Sequence, residues 1–302
     1  MAINPSEKLF SYGTLQQNNV QLKKFGRLIK SQADTLLAYE LRNCIINDIE
    51  VIETSGTKIH PIACYTANNQ DSVSGVVFDI TPEELAQADQ YEVDNYKRVK
   101  CQLASGTVAW VYVQNGLNID VNKLKEQHVR LTLFSDNHIP ALLNKAQDKR
   151  IWKFHRERFD NPEVFKSIRI AKAKRDIAKK TRCMFVIYYK NEIIGASSYY
   201  DIDLKHLTMK IGYTWFHPDY WGKGINQTVK KLMLKYAFED LKFKRIAFSI
   251  DSENIPSRNA IEKLGIPLEG ILKNHMIRRD LTSRDSAIYA ITSNEWQRLY
   301  NA

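Results

Sequence analysis

The spacing of apolar residues in the first 115 positions predicts a strand-rich segment with one well-marked helix. Short apolar or alternating runs predict strands at residues 8–13, 72–80, 99–103 and 108–113. The last two strands flank Ser105-Gly106 and are predicted to form a hairpin. Thr81 is followed by Pro82 and Glu84, which predicts a helix running to about residue 91. Threonine caps a helix, proline suits its first position and the glutamate completes a capping box.

A polar stretch, Gln114–Asn122, carries little apolar pattern and is interpreted as a linker. It gives predicted domains at residues 1–118 and 119–302. Beyond it, apolar positions three and four residues apart predict helices at residues 137–158, 162–180, 226–241 and 256–264. Apolar runs predict strands at residues 183–189, 193–200, 207–216, 245–250 and 285–291. This mixture of strands and helices predicts an α+β fold class.

The charged residues are divided unequally between the two predicted domains. Residues 1–115 contain 10 Lys and Arg against 13 Asp and Glu, a net charge of −3. Residues 116–302 contain 34 against 21, a net charge of +13. The first explanation for this positive charge is that it lies on solvated helix surfaces, and the second is that it attracts an anionic cofactor. No zinc-finger spacing, RNA-recognition aromatic motif or isolated basic tail is present in the sequence, so nucleic acid is not an expected partner.

Cysteine usage and hydropathy favour a cytoplasmic protein without a metal site. The four cysteines, at positions 44, 64, 101 and 183, lie far apart and match no metal-binding spacing. Reduced thiols are therefore expected. The sequence has no run of about 18 apolar residues, so neither a transmembrane helix nor a membrane partner is expected. Met1–Pro5 lacks the basic start and apolar centre of a secretory signal.

A turn with glycine at alternate positions, Trp221-Gly222-Lys223-Gly224-Ile225-Asn226, stands between an aromatic strand and an amphipathic helix. Because two of its residues lack side chains, its backbone N–H groups can face a pyrophosphate, and the helix N-terminus adds partial positive charge. The turn therefore indicates a phosphate-binding site, and the sequence around it makes the indication more specific.

Three segments together resemble the GNAT acyltransferases of the RimJ/RimL-like branch. IGYTWFHPDYWGKGIN, at residues 211–226, is similar to that family's acetyl-CoA strand and pyrophosphate loop. NIPSRNAIEKLG, at residues 254–265, is similar to its cofactor-arm helix, and RDSAIYAI, at residues 284–291, resembles its closing strand. The resemblance covers residues 131 to 298 approximately. It implies a mixed central sheet flanked by helices, N-acetyl transfer as the activity and acetyl-CoA as the cosubstrate.

The resemblance implies cofactor-binding roles for Trp215, Phe216, Trp221, Gly222, Lys223, Gly224, Ile225, Asn226 and Asn254. The strand ending near Trp215 and Phe216 is expected to pair with the pantetheine amides, while an amide at its end polarises the thioester carbonyl. Asn254 is expected to bond the pantetheine arm, and Ser257 to protonate the leaving thiolate, directly or through water. A first-turn helix cap is the alternative for Ser257, because N-x-x-S is also good capping chemistry.

The sequence departs from the usual family pattern at three positions. Trp221 stands where the family has Arg or Gln, and Asn226 stands where it has Gly or Ala. Neither change is expected to abolish cofactor binding. Lys210 stands where the branch often has a glutamate that is a candidate base. The base of the acetyltransferase therefore stays unassigned, and we expect His217 and His275 to be structural.

Short motifs in the first half resemble the γ-glutamylcyclotransferase-like family over residues 7 to 114 approximately. Tyr12-Gly13-Thr14-Leu15 is similar to its Y-G-T/S-L loop, and Asp89-Gln90-Tyr91-Glu92 to its D-x-Y-E segment. AWVYV, at residues 109–113, resembles its last core strand. The resemblance implies a mixed β-barrel with helices. It also implies Tyr12, Gly13, Thr14 and Leu15 as substrate-binding residues and Glu92 as the catalytic acid.

The reaction that this family performs explains the residue types. A γ-glutamyl amide is attacked by its own α-amine, which yields 5-oxoproline and a free amine. One carboxylate with a raised pKa in a partly dry pocket can accept and return the proton, and Glu92 fits that role. The turn at Gly13 offers N–H donors for the substrate carboxylate. Val93 stands where the family often has glycine, which makes activity on familiar substrates a separate question from fold.

The leading hypothesis is a bifunctional chain in which a γ-glutamylcyclotransferase-like domain precedes an acetyl-CoA-dependent N-acetyltransferase. The first domain would release an amine from a γ-glutamyl amide, and the second would acetylate an amine. The competing hypothesis is that the first domain is a non-catalytic module that recognises a ligand for the acetyltransferase. The sequence leaves the acyl acceptor open between a small amine, an aminoglycoside, an amino acid and a protein N-terminus.

Overall fold

The computed structural model describes residues 6–155, 157–278 and 280–300 of the chain. Its contacts divide the chain into two units, Met1–Asn118 and Ile119–Ala302. The N-terminal pentapeptide that was compared with a secretory signal lies outside the described residues. No described helix is both long and apolar enough to cross a membrane.

Seven strands and three helices are described in the N-terminal unit. The strands are β1 Glu7–Ser11, β2 Ser31–Leu37, β3 Tyr39–Ile45, β4 Ile59–Tyr65, β5 Ser72–Ile80, β6 Tyr96–Gln102 and β7 Val108–Gln114. The helices are α1 Asn18–Phe25, α2 Ile49–Ser55 and α3 Pro82–Tyr91. Five strands form one sheet in the order β2-β5-β1-β7-β6, and β3 pairs with β4 in a second sheet. β1 is antiparallel to β5 and parallel to β7.

The sequence signals around α3 are confirmed by the structure. Thr81 accepts a hydrogen bond from the Glu84 N–H, and the Glu84 carboxylate accepts one from the Thr81 N–H. Arg27 pairs with the same carboxylate at 2.6 Å, which ties the helix start to the segment after α1. Glu92 is the C-terminal cap, so this well-fixed helix sets the position of the candidate acid.

The predicted α+β class is confirmed, whereas closure of a barrel is not. Strand hydrogen bonding in the described part of this unit gives a five-stranded sheet and a separate pair. Buried apolar side chains lie on both faces of the larger sheet. Leu9 packs with residues of α3, and Phe10, the next residue along β1, packs in a second cluster with Leu36 and Val111. The alternation follows from the two-residue period of a strand.

The C-terminal unit contains an eight-stranded sheet. Its strands are β8 Lys125–Glu126, β9 Val129–Leu133, β10 Arg182–Tyr189, β11 Glu192–Asp203, β12 Thr208–Phe216, β13 Arg245–Asp251, β14 Leu268–Ile277 and β15 Ser283–Thr292. They lie in the order β14-β15-β13-β12-β11-β10-β9-β8. β12 and β13 are parallel, and the other neighbouring pairs are antiparallel.

The helices of this unit are α4 Ile139–Ala146, α5 Pro162–Val164, α6 Ala171–Ala178, α7 Ile225–Lys235, α8 Ile255–Glu262 and α9 Ser293–Tyr300. A π-helical segment, Phe165–Ile170, joins α5 to α6, and another, Tyr236–Asp240, extends α7. The helix predicted for residues 162–180 is therefore present with a wider turn in its middle. β14 and α9 were not predicted from the sequence.

The single helix predicted over residues 137–158 is wrong. α4 ends at Ala146, because the Trp152 indole N–H donates to the Ala146 carbonyl at 2.7 Å and competes with continuation of the helix. Asp148 then accepts a hydrogen bond from the Arg150 N–H and caps a separate 3₁₀ turn, Lys149–Trp152. The turn places the Trp152 ring in the core, where it is 1% exposed.

Candidate functional sites

The two parallel strands at the centre of the C-terminal sheet separate along their length. β12 pairs with β13 only from Thr208, opposite Arg245, to Lys210, opposite Ala247. β12 nevertheless continues to Phe216, and β13 continues to Asp251. Beyond Lys210 the facing edges therefore carry backbone groups without a ladder partner across the gap. An extended ligand with amide groups can satisfy such edges as an added strand does.

A bulge in β12 lies just inside this gap. The ladder to β11 pairs Gly212 with Ser198 and then Trp215 with Ala196, so Tyr213 and Thr214 have no register partner. Tyr213 adopts φ +53°, a left-handed conformation that is uncommon for an aromatic residue. Bulges redirect backbone groups and occur often beside active sites.

The side chains of Trp215 and Phe216 are buried, at 3% and 7% exposure. The Trp215 ring packs on Trp152 and Phe165, with centroids 5.4 and 6.1 Å away. The Phe216 carbonyl accepts a hydrogen bond from the indole N–H of Trp221 at 3.0 Å. These two residues can therefore contribute to a ligand site through their remaining backbone groups, and their side chains belong to the core.

The glycine turn has the backbone geometry that an anion site requires. Gly222 and Gly224 have φ angles of +72° and +77°, and a Cβ atom added at either would meet no heavy atom within 4 Å. Gly224 is the N-cap of α7, which has no side-chain cap and no acidic residue in its first turn. The Gln227 N–H donates to the Gly224 carbonyl at 3.0 Å, which leaves the N–H groups of Ile225 and Asn226 at the start of this 11-residue helix for a bound anion.

The other residues of this turn divide between its surface and its interior. Trp221 is 48% exposed, and the side chain of Lys223 is also exposed. Ile225 is 4% exposed and anchors the start of α7 in the core. The Asn226 carbonyl oxygen Oδ1 is buried and has no hydrogen-bond partner among the described residues. An unpaired buried acceptor at a helix start is costly unless a ligand or water satisfies it.

Asn254 and Ser257 lie together at the start of α8. Asn254 is the N-cap, and its Oδ1 atom accepts a hydrogen bond from the Ser257 N–H at 3.2 Å. The capping function that was an alternative for Ser257 is therefore performed by Asn254. The half-buried Ser257 hydroxyl makes no hydrogen bond within the described chain and stays available for proton transfer.

The lysine that replaces the family's candidate base and the two histidines near it have structural partners. Lys210 pairs with Asp201 at 2.9 Å. His217 caps a short 3₁₀ turn, where its Nδ1 atom lies 3.4 Å from an Asp219 oxygen. His275 is exposed and lies 3.0 Å from the Ser286 hydroxyl. The geometry thus gives no base to the site beside β12, and the assignment stays open.

A pocket open to solvent lies in the N-terminal unit, and about 360 Å³ of empty space, solvent at its mouth included, is enclosed by its walls. It is lined by residues of the β1 end and the following turn, of β4, of the segment after α3, and of β6 and β7, namely Phe10, Ser11, Tyr12, Gly13, Thr14, Leu15, His60, Pro61, Glu92, Tyr96 and Tyr112. The structure therefore brings the two short sequence motifs of this half to one site. His60, Pro61, Tyr96 and Tyr112 were not predicted to line it.

Glu92 is the one carboxylic acid among the residues that line this pocket. Burial, with a smaller contribution from the negative charge of Asp89, raises the pKa of its carboxyl group to about 8. Its carboxylate forms no hydrogen bond or ion pair with another described side chain, whereas Asp89 is held by Arg98 at 2.6 Å and by Tyr112 at 2.8 Å. Glu92 can therefore exchange a proton near neutral pH.

The turn after β1 faces the same pocket. Gly13 precedes a short 3₁₀ turn, Thr14–Gln16, and provides its N-cap without a side-chain hydrogen bond. The Thr14 hydroxyl lies 3.2 Å from the Tyr91 hydroxyl, while Leu15 is 3% exposed and packs in the core. The Gly13 N–H lies 3.4 Å from the Ser11 hydroxyl and the Gln16 N–H donates to the Gly13 carbonyl, so the N–H groups of Thr14 and Leu15 are the ones of this turn that a ligand could use.

The Tyr12 hydroxyl is already engaged by the main chain. It donates to the Tyr112 carbonyl at 2.5 Å and accepts from the Ala63 N–H at 3.0 Å. These bonds join the residue after β1 to β7 and to β4. The hydroxyl therefore fixes the pocket wall, and a ligand would meet the ring of Tyr12 rather than a free phenol group.

Comparisons with known families agree with both halves of the sequence resemblance. Residues 128–266 match the model of the family described as "Acetyltransferase (GNAT) domain". Residues 9–149 match the model described as "Gamma-glutamyl cyclotransferase, AIG2-like". The predicted fusion of two families in one chain is therefore confirmed, with matches that overlap at residues 128–149.

Individual relatives cover the C-terminal half. The uncharacterized N-acetyltransferase YnaD of Bacillus subtilis (strain 168) is 30% identical over 158 residues, which span 52% of this chain and 88% of YnaD. YoaA from the same organism, also an uncharacterized N-acetyltransferase, is 29% identical over 100 residues, 33% of this chain and 55% of YoaA. The crystal structure of a GCN5-related N-acetyltransferase from Brucella melitensis matches with a TM-score of 0.54 at 22% identity, covering 59% of this chain and 81% of that one. This last likeness shows the shared fold.

Replacement of Glu92 by glutamine should change how stability depends on pH. The folded pKa of about 8 exceeds the ordinary value of about 4.3, so the folded state binds this proton more tightly than the unfolded state. Its stabilising contribution is complete at low pH and is lost as the pH rises toward 8. Urea denaturation should therefore show Glu92→Gln equal to the parent near pH ~4 and more stable by about 1 kcal/mol or more at pH ~8.

Asp94→Asn supplies the matched control, because Asp94 is an exposed acid two positions further along the same segment. Its difference from the parent should stay nearly constant over the same pH range. A constant difference for Glu92→Gln as well would show that Glu92 is not a proton-holding group of the folded state.

Proposed function

The chain belongs to the GNAT acetyltransferase family, and we propose that its C-terminal unit transfers the acetyl group of acetyl-CoA to an amine. One observation carries this proposal. The strands β12 and β13 part after Lys210, and α7, which follows β12 along the chain, begins at a glycine without a side-chain cap. The first suits an extended chain of amides, and the second suits a pyrophosphate. Acetyl-CoA contains both groups.

Within this proposal the chain's own groups have separate tasks. N–H groups of Gly222 to Asn226 bind the pyrophosphate, the free edge of β12 up to Phe216 pairs with the pantetheine, and Asn254 orients the arm. The amine nitrogen attacks the thioester carbonyl carbon, and the carbon–sulfur bond breaks. Ser257 gives the departing thiolate a proton, directly or through water. The acceptor class and the group that removes the amine proton are left open.

Gly224→Glu tests the placement of the pyrophosphate. The substitution puts a side chain and a negative charge at the start of α7, so the Kd for acetyl-CoA should rise tenfold or more, about 1.4 kcal/mol. Titration calorimetry on the full chain measures this change. Gly224→Gln is the matched control, because it has the same size and the same left-handed φ of +77° without the charge.

The glutamine variant should bind more tightly than the glutamate variant. Unchanged affinity in a folded Gly224→Glu protein would rule out the proposed cofactor position. A thiol-release assay with acetyl-CoA across small amines, amino acids, aminoglycosides and peptide N-termini then identifies the acceptor. Ser257→Ala should keep the parent Kd for acetyl-CoA and lose turnover with whichever acceptor is found.

A second activity, γ-glutamyl cyclotransfer, is favoured by the unpaired acid in the N-terminal pocket. Glu92 would remove a proton from the substrate α-amine and return one to the leaving nitrogen as the ring closes. The turn at Gly13–Leu15 would bind the substrate carboxylate through backbone N–H groups. Attack within one molecule makes positioning a large part of the rate. Val93 packs against the core of this unit, so the departure from the usual glycine lies beside the acid.

Glu92→Gln should abolish most cyclotransferase turnover while acetyl transfer stays intact. Loss of the acid/base group predicts a fall of roughly 10² or more in the rate of 5-oxoproline release from γ-glutamyl amines. Asp94→Asn again serves as the control and should retain the parent rate. If the parent binds a γ-glutamyl amine by calorimetry yet releases no 5-oxoproline, the alternative of a ligand-recognition module replaces cyclotransfer.

We further propose that the domain boundary lies between Asn118 and Ile119 and that the two activities act in sequence on one amine. A protease site inserted there should yield two folded fragments of opposite net charge that separate on ion exchange. Cleavage should slow the two-step conversion of a γ-glutamyl amine at low substrate concentration, because linkage raises the effective concentration of the second site. Equal two-step rates before and after cleavage would leave two independent activities.

A further inference from the structure

Arg169 is a buried cation without an anionic partner. Its side chain lies on the π-helical segment Phe165–Ile170 and the residue is 6% exposed. One nitrogen, Nη2, donates to the Tyr213 carbonyl at 2.8 Å, and Nε has no partner among the described residues. The described carboxylates form no ion pair with it. Buried guanidinium groups usually have such a partner.

Aromatic rings take the place of a carboxylate around this guanidinium. Its central carbon lies 5.1 Å from the ring centroid of Trp152, 5.2 Å from that of Phe159 and 6.0 Å from that of Tyr213. Burial lowers the pKa of Arg169 to about 9, so the group stays charged at neutral pH. An apolar side chain of similar volume would avoid the desolvation penalty of this cation. Fold stability alone therefore does not account for the arginine.

The carbonyl that Arg169 holds belongs to the bulge of β12. Tyr213 and Thr214 have no register partner on β11 or on β13, so the sheet ladders do not fix the peptide between them. That peptide is planar and trans, and its N–H therefore points opposite to its carbonyl. A hydrogen bond that fixes the Tyr213 carbonyl also fixes the direction of the Thr214 N–H. The Thr214 hydroxyl, 2.8 Å from that of Ser197, holds the other side of the bulge.

We propose that Arg169 is a positioning residue of the acetyltransferase, which holds the Tyr213 carbonyl so that the Thr214 N–H is directed at the thioester carbonyl of the acyl donor. The inference rests on the proposed acetyl transfer and names the device that orients the polarising amide. As the amine attacks, negative charge gathers on the thioester oxygen, and a donor held in advance stabilises it without reorganisation. In this role Arg169 acts through the backbone of Tyr213 and needs no contact with the donor or the acceptor.

Three full-length variants separate this role from packing. Arg169→Met removes the donor and the charge but keeps a long side chain within the aromatic rings. Arg169→Lys restores a cation and a donor that can reach the same carbonyl. Arg182→Met is the matched control, because Arg182 is also buried and stacks on the Tyr213 ring at 3.9 Å, yet its Nε donates to the Ser198 hydroxyl.

Two measurements need no knowledge of the acceptor. Calorimetry gives the Kd for acetyl-CoA, and isotope-edited infrared spectroscopy of acetyl-CoA labelled with ¹³C at the thioester carbonyl gives its polarisation. In the parent, binding should move the carbonyl band to lower frequency. Arg169→Met should keep the Kd within about threefold, about 0.7 kcal/mol, and lose the band shift. Arg169→Lys should recover part of it, and Arg182→Met should retain it.

Turnover with an acceptor from the thiol-release screen completes the test. Loss of one preorganised donor predicts a kcat for Arg169→Met lower by roughly 10²-fold, with KM for acetyl-CoA little changed. An unchanged band and kcat in Arg169→Met would overturn the inference, as would equal losses in Arg182→Met. A parent that fails to bind acetyl-CoA would instead overturn the proposed function.

Discussion

The early end of the ladder between β12 and β13 is the constraint on which the C-terminal unit depends. Three paired residues on each strand keep the sheet continuous, and beyond Lys210 the two strands are no longer paired. The bulge at Tyr213, the indole of Trp221 on the Phe216 carbonyl and the left-handed Gly224 all lie on the path from that point to α7. A continuous ladder would satisfy the same backbone groups internally and leave nothing for a ligand to pair with.

The two candidate sites are built from different kinds of groups. In the C-terminal unit the binding groups are mostly backbone amides, whose direction is set by strands, a bulge and a helix start. In the N-terminal unit the candidate group is a side chain, and its raised pKa comes mainly from removal from water. Glu92 follows a helix that is capped at Thr81 and tied to Arg27, so a rigid element carries it into the pocket. Asp89 is engaged by Arg98 and Tyr112, which leaves Glu92 as the free acid.

Local signals predicted the parts of the fold that depend on neighbours in sequence. The capping residues of α3, the strand over residues 72–80 and the glycine turn before α7 each have a physical cause within a few positions, and the structure contains all three. The break after Ala146 was missed, because the spacing of apolar residues stays helical there. The helix ends there because the Trp152 indole N–H donates to the Ala146 carbonyl and the Trp152 ring packs in the core against Trp215.

The walls of the N-terminal pocket were missed for a related reason. His60, Tyr96 and Tyr112 come from strands that only the folded sheet brings to Glu92, and no spacing in the sequence connects them. Arg169 presents the harder case, since it stands among many basic residues of a helical segment and nothing local distinguishes it. Its burial and its bond to Tyr213 are properties of the packed structure.

The aromatic surroundings of Arg169 also bear on how the protein would respond to selection for heat resistance. A desolvated cation without a counter-ion is a place where an apolar replacement can raise stability. Thermostability screens that ignore activity would therefore favour substitutions here, and the proposed role of Arg169 predicts that the more stable proteins would acetylate poorly. Such opposition between stability and activity is expected where a site holds a group against its preference for water. A lower unfolding temperature would then follow directly from the buried, unpaired guanidinium that the proposed reaction requires.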